Sequence, residues 1–387
     1  MKEKTFLSTP SINGNEWKYV KECIDTEWVS SAGKYVQLFE QKISEYTKAK
    51  HAIACVNGTS ALQLSLHLAG VKPGDEVIIS TLTFIAPVNA ITYNNASPLF
   101  MDADEFYNID AEKTIEFILH KTYFQDGCTY NKATKNKISA IVPVHIWGNA
   151  AWQDELVPLC KERNIVVVED ASESLGTVYT AGKYEGQSTG NIGKLGCLSF
   201  NGNKIITAGG GGMILTNNKQ IADKARYLTT QAKDDAVRYI HNEVGYNFRL
   251  TNIQAALGVA QLEQLPKFLK RKRQNFSLYE SALKKINGLS IATVPHYANN
   301  NNWMNVLQID VEVFSEDWEV IMQRLKKNGI QSRPVWVLNH MQKPYEKCQN
   351  YKIERAEKLY NKSLCLPSST DLTDNQIKSI ITCLTKK

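Results

Sequence analysis

A lysine, Lys204, stands between a strand-like segment and four consecutive glycines in SFNGNKIITAGGGGMIL, residues 199–215. The glycines at 209–212 allow close approach of the backbone or positive φ angles. A lysine held among backbone groups, away from water, has its ammonium form disfavoured, which makes its amine a nucleophile. Taken alone, a solvated surface lysine is the commoner explanation. The choice therefore depends on the residues at the other strand ends.

A second strand-like segment leads into a possible phosphate site, in CVNGTSAL (55–62). Gly58 allows a tight turn, and Thr59 and Ser60 then open a helix. Free N–H groups and hydroxyls at a helix N-terminus suit phosphate, although an ordinary N-cap is the alternative. The sequence contains neither the P-loop pattern GxxxxGK[ST] nor the dinucleotide pattern GxGxxG.

Two further segments supply a carboxylate and an aromatic ring. The apolar run IVVVED (165–170) ends in Asp170, which needs a cation or a strong donor if it is buried. Capping of the next helix is the alternative role for this aspartate. Phe84 follows the strand-like EVIIS and could cover a flat ligand, although an isolated aromatic residue more often belongs to the core.

Together these residues match the requirements of pyridoxal 5′-phosphate. This cofactor needs a phosphate cradle, a carboxylate beside the ring nitrogen, a lysine for its aldehyde and a flat side chain over the ring. Ligands of parallel α/β sheets bind at the carboxyl ends of the strands, where these residues follow one another in the right order. The joint pattern favours Lys204 as the lysine that binds the aldehyde.

The elements that must position these residues form an α/β pattern. Short β-branched runs alternate with helical runs from about residue 35 to 260, which predicts a mostly parallel sheet covered on both faces by helices. After residue 260 the pattern of strand-like and helical segments changes and predicts a smaller α+β domain. We therefore expect a large cofactor-binding domain over residues 1–260 and a small C-terminal domain over residues 261–387. The first 30 or so residues are expected to pack on the small domain, and residues 120–137 to form a surface excursion.

Composition narrows the class of protein further. The 387 residues exceed what one hydrophobic core usually covers, and 43% hydrophobic with 22% charged residues is typical of soluble globular proteins. A formal charge of +6 is mild and gives no argument for nucleic acid binding; the basic run KFLKRKR (267–273) predicts a solvated helix face. Dispersed cysteines and histidines predict a reduced protein without a metal site. Without an apolar N-terminal region or about 18 consecutive apolar residues, we expect a cytoplasmic protein that does not enter the membrane.

Several of these segments resemble the DegT/DnrJ/EryC1/StrS family of sugar aminotransferases. The resemblance spans most of the chain and lies in NGTSALQLSL, STLTFIAPVNAI, VVEDASESLGT, GNIGKLGCLSFNGNKIITAGGGGMILTN and GYNFRLTNIQAALG. It implies the aspartate-aminotransferase-like fold of pyridoxal phosphate enzymes, called fold type I, and a transaminase with Lys204 as its catalytic residue.

The resemblance also assigns residues to the cofactor. Gly58, Thr59 and Ser60, joined by Ser199, would hold the phosphate, and Asp170 would pair with the ring nitrogen. These assignments agree with the roles that the strand ends suggest.

Two further assignments from the resemblance concern Glu173 and Asn247. Glu173 stands where many members have glutamine near the phenolic oxygen, and a carboxylate there would oppose the phenolate charge. Asn247, in GYNFR, would reach the cofactor phosphate of a neighbouring subunit. The resemblance therefore implies a homodimer with shared active sites.

The C-terminal segments RPVWVLNHMQKPY (333–345) and LCLPSSTDLT (364–373) further resemble the branch of the family that acts in legionaminic acid synthesis. This implies amination of a 2-acetamido-4-keto-6-deoxyhexose carried on UDP or GDP, with L-glutamate as donor, on the way to a nonulosonic acid and a surface glycan. Five residues are candidates for the substrate side, each with ordinary packing or solvation as the alternative: Trp28, Lys34, Arg333, Trp336 and His340.

Three alternatives stay open at the level of sequence. One is a perosamine-type 4-aminotransferase, whose substrate lacks the acetamido group. Another is a cofactor-sharing sugar dehydratase, although the relative of that kind has histidine in place of the lysine. The third is a non-catalytic regulator that would use the basic run at 267–273 on nucleic acid, against which the intact set of cofactor residues argues.

Overall fold

The structure, a computed structural model, describes residues 4–235 and 237–385. The helices are α1 (Glu16–Asp25), α2 (Lys34–Thr47), α3 (Gly58–Leu68), α4 (Ile85–Tyr93), α5 (Ala111–His120), α6 (Leu156–Glu162), α7 (Lys219–Thr229), α8 (Asn252–Leu283), α9 (Val311–Phe314), α10 (Trp318–Lys327), α11 (Arg355–Lys362) and α12 (Asp374–Thr385). The strands are β1 (His51–Cys55), β2 (Glu76–Ser80), β3 (Ser97–Met101), β4 (Thr122–Gln125), β5 (Cys128–Asn131), β6 (Lys137–Val142), β7 (Val166–Asp170), β8 (Val178–Tyr179), β9 (Leu195–Ser199), β10 (Gly212–Thr216), β11 (Leu289–Ile291), β12 (Ala298–Asn299), β13 (Asn305–Ile309), β14 (Arg333–Pro334), β15 (Asn350–Tyr351) and β16 (Ser363–Leu366).

The large sheet has the order β1-β10-β9-β7-β6-β2-β3-β15. From β9 to β15 each neighbouring pair is parallel, and β10 is antiparallel to β9 and to β1. The strands β2 and β10 are buried along their whole length, as expected for a sheet with helices on both faces. The predicted α/β class with a mostly parallel sheet is confirmed.

The reversed direction of β10 matters for the position of the glycine run. In its register, Gly212 lies opposite Ser199, the last residue of β9, and opposite Cys55, the last residue of β1. The beginning of β10 therefore shares a sheet edge with the carboxyl ends of its neighbours. This edge carries the loops that the sequence predicts for the cofactor.

The segment at 120–137 is not only a surface excursion. Its two short strands form a hairpin, and β5 also pairs with β6, so the hairpin extends the large sheet. Asp126 and Gly127 at its tip have φ angles of 49° and 72°. An Asp-Gly pair with positive φ is typical of tight hairpin turns, so the sequence contains a local signal for this hairpin that the expected surface excursion did not take into account.

A second, antiparallel sheet has the order β11-β13-β16-β14 and is covered by α10, α12 and the end of α8. The N-terminal chain reaches this unit, because Thr5 bridges Ile330 and the Leu7 carbonyl accepts the Ser368 N–H. The helix α1, in contrast, packs on α8. Since α8 runs continuously across residue 260, both units share this helix, and the division into two domains at that residue stays a prediction.

The basic run at 267–273 is not a uniformly solvated face of α8. Lys272 is buried, which corrects the expectation from the sequence, and Arg271 pairs with Asp374 at 2.8 Å. Within the described ranges, no helix is long and apolar enough to span a membrane. The same part of the chain contains no group of three or more histidine, cysteine, aspartate or glutamate side chains arranged to hold a metal ion.

The contact between α2 and α8 gives the first prediction. A Cβ added to Gly258 of α8 would lie 2.7 Å from Cζ of the fully buried Phe39, which itself packs on Phe200. Helix propensity alone favours alanine over glycine by about 1 kcal/mol. We expect overpacking to dominate, so that Gly258→Ala lowers the free energy of unfolding by about 1–3 kcal/mol in urea denaturation.

The matched control for this prediction is Lys270→Ala, at an exposed position of the same helix. We expect this change to alter the free energy of unfolding by less than about 0.5 kcal/mol. A Gly258→Ala variant more stable than the unmodified protein would show that Phe39 moves without penalty.

Candidate active site

A cavity of about 330 Å³ opens at the sheet edge where β1, β7 and β9 end and β10 begins. Pockets for small ligands typically have volumes from about 300 Å³ upward. The cavity brings together most of the predicted cofactor residues, namely Gly58, Thr59, Phe84, Asp170, Glu173, Ser199 and Lys204. It also contains Trp336, which was predicted for the substrate side. It also contains residues that the sequence analysis did not single out, among them Asn57, Thr83, Ser172, Asn201, Asn203 and Trp303.

The N-terminus of α3 faces this cavity. Asn57 caps the helix in an extended conformation, and its Oδ1 accepts the Ser60 N–H at 2.7 Å. The first N–H groups of a helix, here those of Gly58 and Thr59, have no intrahelical acceptor and attract an anion. A Cβ on Gly58 would lie 2.8 Å from Cβ of Ser199, so glycine is needed for the close approach of these two loops.

The four glycines let the chain pass directly beside this helix terminus. Gly209 and Gly211 have φ angles of 74° and 111°, which favour glycine. The Gly211 N–H donates to the Val56 carbonyl at 2.9 Å, and a Cβ on Gly212 would lie 2.4 Å from the Asn57 carbonyl oxygen. The glycine run is therefore explained by close backbone contact with the N-terminus of α3. We call this helix terminus, together with Ser199, the phosphate-type site.

Adjacent carboxylates at the end of β7 point to opposite sides, as successive strand residues do. Asp170 lines the cavity, and its Oδ1 accepts the Ser172 N–H at 3.0 Å. Glu169 lies behind it, fully buried. Burial alone would raise the pKa of Glu169, but hydrogen bonds from His145, Gln153 and the Gly193 backbone lower it below its ordinary value.

The Lys204 amine lies between a carboxylate and an aromatic ring. Its Nζ is 3.2 Å from Oε1 of Glu173 and 4.5 Å from the ring centroid of Trp303. An indole face attracts a cation, so both contacts hold the amine at one wall of the cavity. Trp303 comes from the segment before β13, roughly a hundred residues further along the chain.

Glu173 is held on its other side by the backbone of Trp147, whose N–H donates to Oε2 at 2.7 Å. Trp147 adopts a left-handed conformation with φ 54°, uncommon for a bulky residue. Burial raises the pKa of Glu173, although the neighbouring Lys204 and the Trp147 N–H act in the opposite direction. The carboxyl group can therefore carry a proton more readily than an exposed glutamate.

Two aromatic side chains, Phe84 and Trp336, also line the cavity. Phe84 is 48% exposed, and its ring centroid lies 5.7 Å from that of Trp336. The loop before Phe84 is held by Asn339, whose Nδ2 donates to the carbonyls of Thr81 and Thr83 at 3.1 and 2.8 Å. Phe84 is thus exposed towards the cavity on a loop that is itself fixed.

His340 belongs to the same turn. Its Nδ1 is 2.7 Å from Oγ1 of Thr81, and burial lowers the pKa of its imidazole. His340 does not line the cavity. Its visible role in the structure is to hold the Thr81 loop, and contact with a substrate stays a prediction.

Five other predicted residues also lie outside this cavity. Trp28 and Lys34 line a separate cavity of about 550 Å³, where Lys34 pairs with Glu22. Arg333 is exposed beside a third cavity. The other two flank the phosphate-type site without lining it: Ser60, whose N–H is taken by the cap, and the exposed Asn247. The roles predicted for these residues stay predictions.

The residues present fit pyridoxal phosphate. The helix N-terminus with Ser199 suits a phosphate, Asp170 suits a protonated ring nitrogen, and the Lys204 amine lies in the same cavity. Phe84 and Val144 line the same cavity. The chemistry that the sequence predicts is therefore assembled in one place.

A family model described as the DegT/DnrJ/EryC1/StrS aminotransferase family matches residues 10–385. The chain belongs to this family. It is a pyridoxal phosphate-dependent aminotransferase, as the strand-end residues and the resemblance predict. The legionaminic acid branch is not established by this match.

Individual relatives match over nearly the whole chain. The chain is 36% identical to EpsN of Bacillus subtilis, over 99% of this chain and 96% of that protein. It is 37% identical to GDP-perosamine synthase of Caulobacter vibrioides, over 98% and 96%. Among solved structures, DesI in the presence of its TDP-sugar product has a TM-score of 0.87 at 25% identity, covering 99% of this chain and 93% of that chain.

The glycine contact gives a prediction for cofactor binding. Gly212→Ala places a Cβ against the Asn57 carbonyl and 2.7 Å from the Gly58 nitrogen, so it must displace the helix terminus that faces the phosphate. We expect the affinity of the apoprotein for pyridoxal phosphate to fall about tenfold or more, because overpacking costs about 1–3 kcal/mol. Titration of the apoprotein followed by visible absorbance measures this affinity.

The control for this titration is Gly202→Ala in the same region of the chain. A Cβ on Gly202 meets no atom within 4 Å, so its affinity for the cofactor should stay unchanged. Equal affinities for the two variants would contradict the assignment of the phosphate site.

Proposed function

We propose that this aminotransferase transfers the amino group of L-glutamate to C4 of a nucleotide-linked 4-keto-6-deoxyhexose. The observation that carries the proposal is the position of the Lys204 amine, between Glu173 and Trp303 and in one cavity with Asp170 and the α3 terminus. Glutamate as donor and the sugar as acceptor follow from the family resemblance. The nucleotide-sugar names of two relatives, GDP-perosamine synthase and DesI with its TDP-sugar, support this class of acceptor.

The bound cofactor supplies an aldehyde for amine exchange and a protonated ring that stabilises a carbanion. For this chemistry, Lys204 must become a neutral amine. Glu173 Oε1, at 3.2 Å, is placed to take the proton from Nζ, and its burial favours the protonated carboxyl. Once protonated, Glu173 can donate a hydrogen bond to the phenolic oxygen as a glutamine would, which removes the conflict of charges.

Proton transfer in both half-reactions is assigned to Lys204. With the cofactor bound, the Lys204 amine would serve as the base that takes a proton from Cα of the donor and returns it to the carbon that receives it. Asp170 would keep the ring nitrogen protonated, and Phe84 would cover the ring. Two half-reactions in one site predict ping-pong kinetics.

Two acceptors differ at C2 of the sugar. The resemblance of the segment at 333–345 to the legionaminic acid branch supports a 2-acetamido sugar on UDP or GDP, and this segment contributes Trp336 to the cavity. The relative named GDP-perosamine synthase supports a second candidate without the acetamido group. Trp28, Lys34, Arg333 and His340 stay candidates for contacts with the nucleotide or the sugar.

The amino donor is tested first, in a single half-reaction. We expect glutamate to convert the cofactor-loaded protein to its pyridoxamine form with release of one equivalent of 2-oxoglutarate, as seen by absorbance and an enzymatic assay. Lys204→Ala should lack the visible absorption of lysine-bound cofactor and should form no 2-oxoglutarate. A dehydratase would remove a hydroxyl group from the sugar without consuming glutamate.

The acceptor is tested with the same pyridoxamine form. UDP- and GDP-linked 4-keto-6-deoxy sugars, each with and without the acetamido group, are compared by the rate at which the original spectrum returns. Mass spectrometry of the product locates the new amine. Preference for a 3-keto sugar would overturn the proposed position of amination.

We also propose a homodimer with shared active sites. Asn247 is exposed outside the cavity of its own chain, although the next residue, Phe248, accepts the Val56 N–H at 2.7 Å beside the phosphate-type site. The described residues of the preceding loop include four exposed large apolar side chains, with Val237 87%, Tyr239 70%, Ile240 45% and Val244 86% accessible. Such a loop suits burial against a second copy, and this supports the role predicted for Asn247.

Subunit mixing tests the shared site. Asn247→Ala and Lys204→Ala are each expected to be inactive or strongly impaired. After exchange, mixed dimers have one complete site, so the mixture should regain about a quarter of the unmodified activity. No recovery, with subunit exchange verified by mass spectrometry, would place Asn247 in the site of its own chain.

A further inference from the structure

The side chain of Lys272 in α8 is buried where a lysine is unusual. Only 2% of this residue is exposed, and among the described residues no carboxylate lies within ion-pair distance of its amine. Its Nζ donates instead to the Trp303 carbonyl at 2.8 Å, to the Ser368 carbonyl at 2.5 Å and to Ser368 Oγ at 3.3 Å. All three donors of the ammonium group are thus directed at two backbone segments.

Burial of an ammonium group costs free energy of folding, so stability does not explain why a lysine stands here. Burial lowers the pKa of Lys272 to about 7, against a weaker opposing effect of Asp371. A methionine of similar length would fill the same space without transferring an ammonium group from water. This suggests that the function of Lys272 is to fix the positions of the two backbone segments to which it donates hydrogen bonds.

Trp303, one of those segments, is held from three directions. Its N–H donates to Oδ1 of Asn301 at 2.9 Å, its carbonyl accepts from Lys272, and its Nε1–H donates to the Asn203 carbonyl at 2.7 Å. Its indole is the ring that lies 4.5 Å from Nζ of Lys204. A change in the backbone at residue 303 would therefore move the wall against which the reactive amine rests.

Glu173, the other residue in contact with the Lys204 amine, is also connected to the segment that contains Trp303. Nδ2 of Asn301 donates to the Glu173 carbonyl at 2.8 Å, two residues from the Trp303 that Lys272 holds. Both groups that touch the Lys204 amine are thus connected to residues 301–303. Ser368 Oγ also donates to the Trp303 carbonyl, at 2.8 Å, which places Lys272 and Ser368 on the same oxygen.

We propose that Lys272 is a positioning residue, which fixes Trp303 so that the Lys204 amine is held ready to capture the aldehyde of the cofactor. The inference rests on the proposed role of Lys204 and on no feature of the sugar. Lys272 acts at a distance, through the Trp303 backbone and indole, and does not touch the reacting atoms.

The experiment measures the rate at which the apoprotein captures pyridoxal phosphate, by stopped-flow absorbance of the lysine-bound form. Reduction with borohydride and mass spectrometry then identify the modified lysine. We expect Lys272→Met to slow capture about tenfold, because misplacement of a reacting group costs at least this factor. Trp303→Phe should have a similar effect.

Coupling between the two residues separates positioning from general loosening. If Lys272 acts through Trp303, the double variant captures the cofactor no more slowly than the slower single variant, whereas independent effects would multiply. Tyr279→Phe is the matched control, since it removes one hydrogen bond, of 3.0 Å, from the same helix to the Pro367 carbonyl. It should leave the capture rate unchanged.

A second variant, Lys272→Gln, keeps the test decisive if the methionine variant does not fold. The glutamine side chain can still donate hydrogen bonds through its amide. We therefore expect a rate of cofactor capture between those of the unmodified protein and Trp303→Phe. An unmodified rate in a folded Lys272 variant, or multiplied effects in the double variant, would overturn the inference. Failure of the unmodified apoprotein to react at Lys204 would instead overturn the proposed function, so the two failures are distinguishable.

Discussion

Five hydrogen-bond donors converge on the carboxylate of Glu169, behind the cavity, and the arrangement of the site depends on them. They come from the ring of His145, the amide of Gln153 and the N–H groups of Gly190, Ile192 and Gly193. A buried carboxylate needs such partners, because an unpaired charge in the interior is costly.

The convergence on Glu169 fixes the end of β7 relative to its neighbours. The loop at 190–193 leads directly into β9, and a Cβ on Gly196 in that strand would lie 1.9 Å from the Gly190 carbonyl oxygen. With Glu169 pinned on one side, strand alternation turns Asp170 to the other. A charge network outside the cavity therefore sets the orientation of the carboxylate inside it.

Residues 301–303 connect the residues of the cavity to the second unit of the molecule, which contains the antiparallel sheet. Asn301 reaches Glu173, and Trp303 reaches Lys204, although both precede β13 of the antiparallel sheet. The cavity is thus not a property of the large sheet alone. The part of the cavity wall beside Lys204 depends on how the second unit and α8 are packed.

The residues that the sequence could predict are those with a local signal. Lys204 before a glycine run, Gly58 before hydroxyl residues and Asp170 after a β-branched run each occupy a strand end, and parallel strands bring such ends together. The cap by Asn57 also has a local signal, since asparagine before a helix start is a favoured N-cap.

Other features had no such signal. Trp303 reaches Lys204 only through the packing of distant segments, and nothing in its own neighbourhood distinguishes it from a core tryptophan. Lys272 lies in a basic run whose exposed and buried members alternate with the turn of α8, so composition alone predicts a solvated face. For Trp28 and Lys34, sequence similarity predicts contact with a ligand, but their place in this chain is a different cavity from that of Lys204.

The antiparallel strand β10 has a consequence for how the chain reaches its native state. Residues 51–55 acquire their neighbour in the sheet only when residues 212–216 arrive, so this pairing closes a long segment of chain. Until then, both edges of β1 lack a neighbouring strand, whereas in the native sheet β1 is the terminal strand and has β10 on one side. Because the same pairing brings the glycine run beside the α3 terminus, the predicted phosphate site cannot form before this long-range pairing does. During synthesis, β1 therefore has no partner strand in its own chain until residues 212–216 have been made.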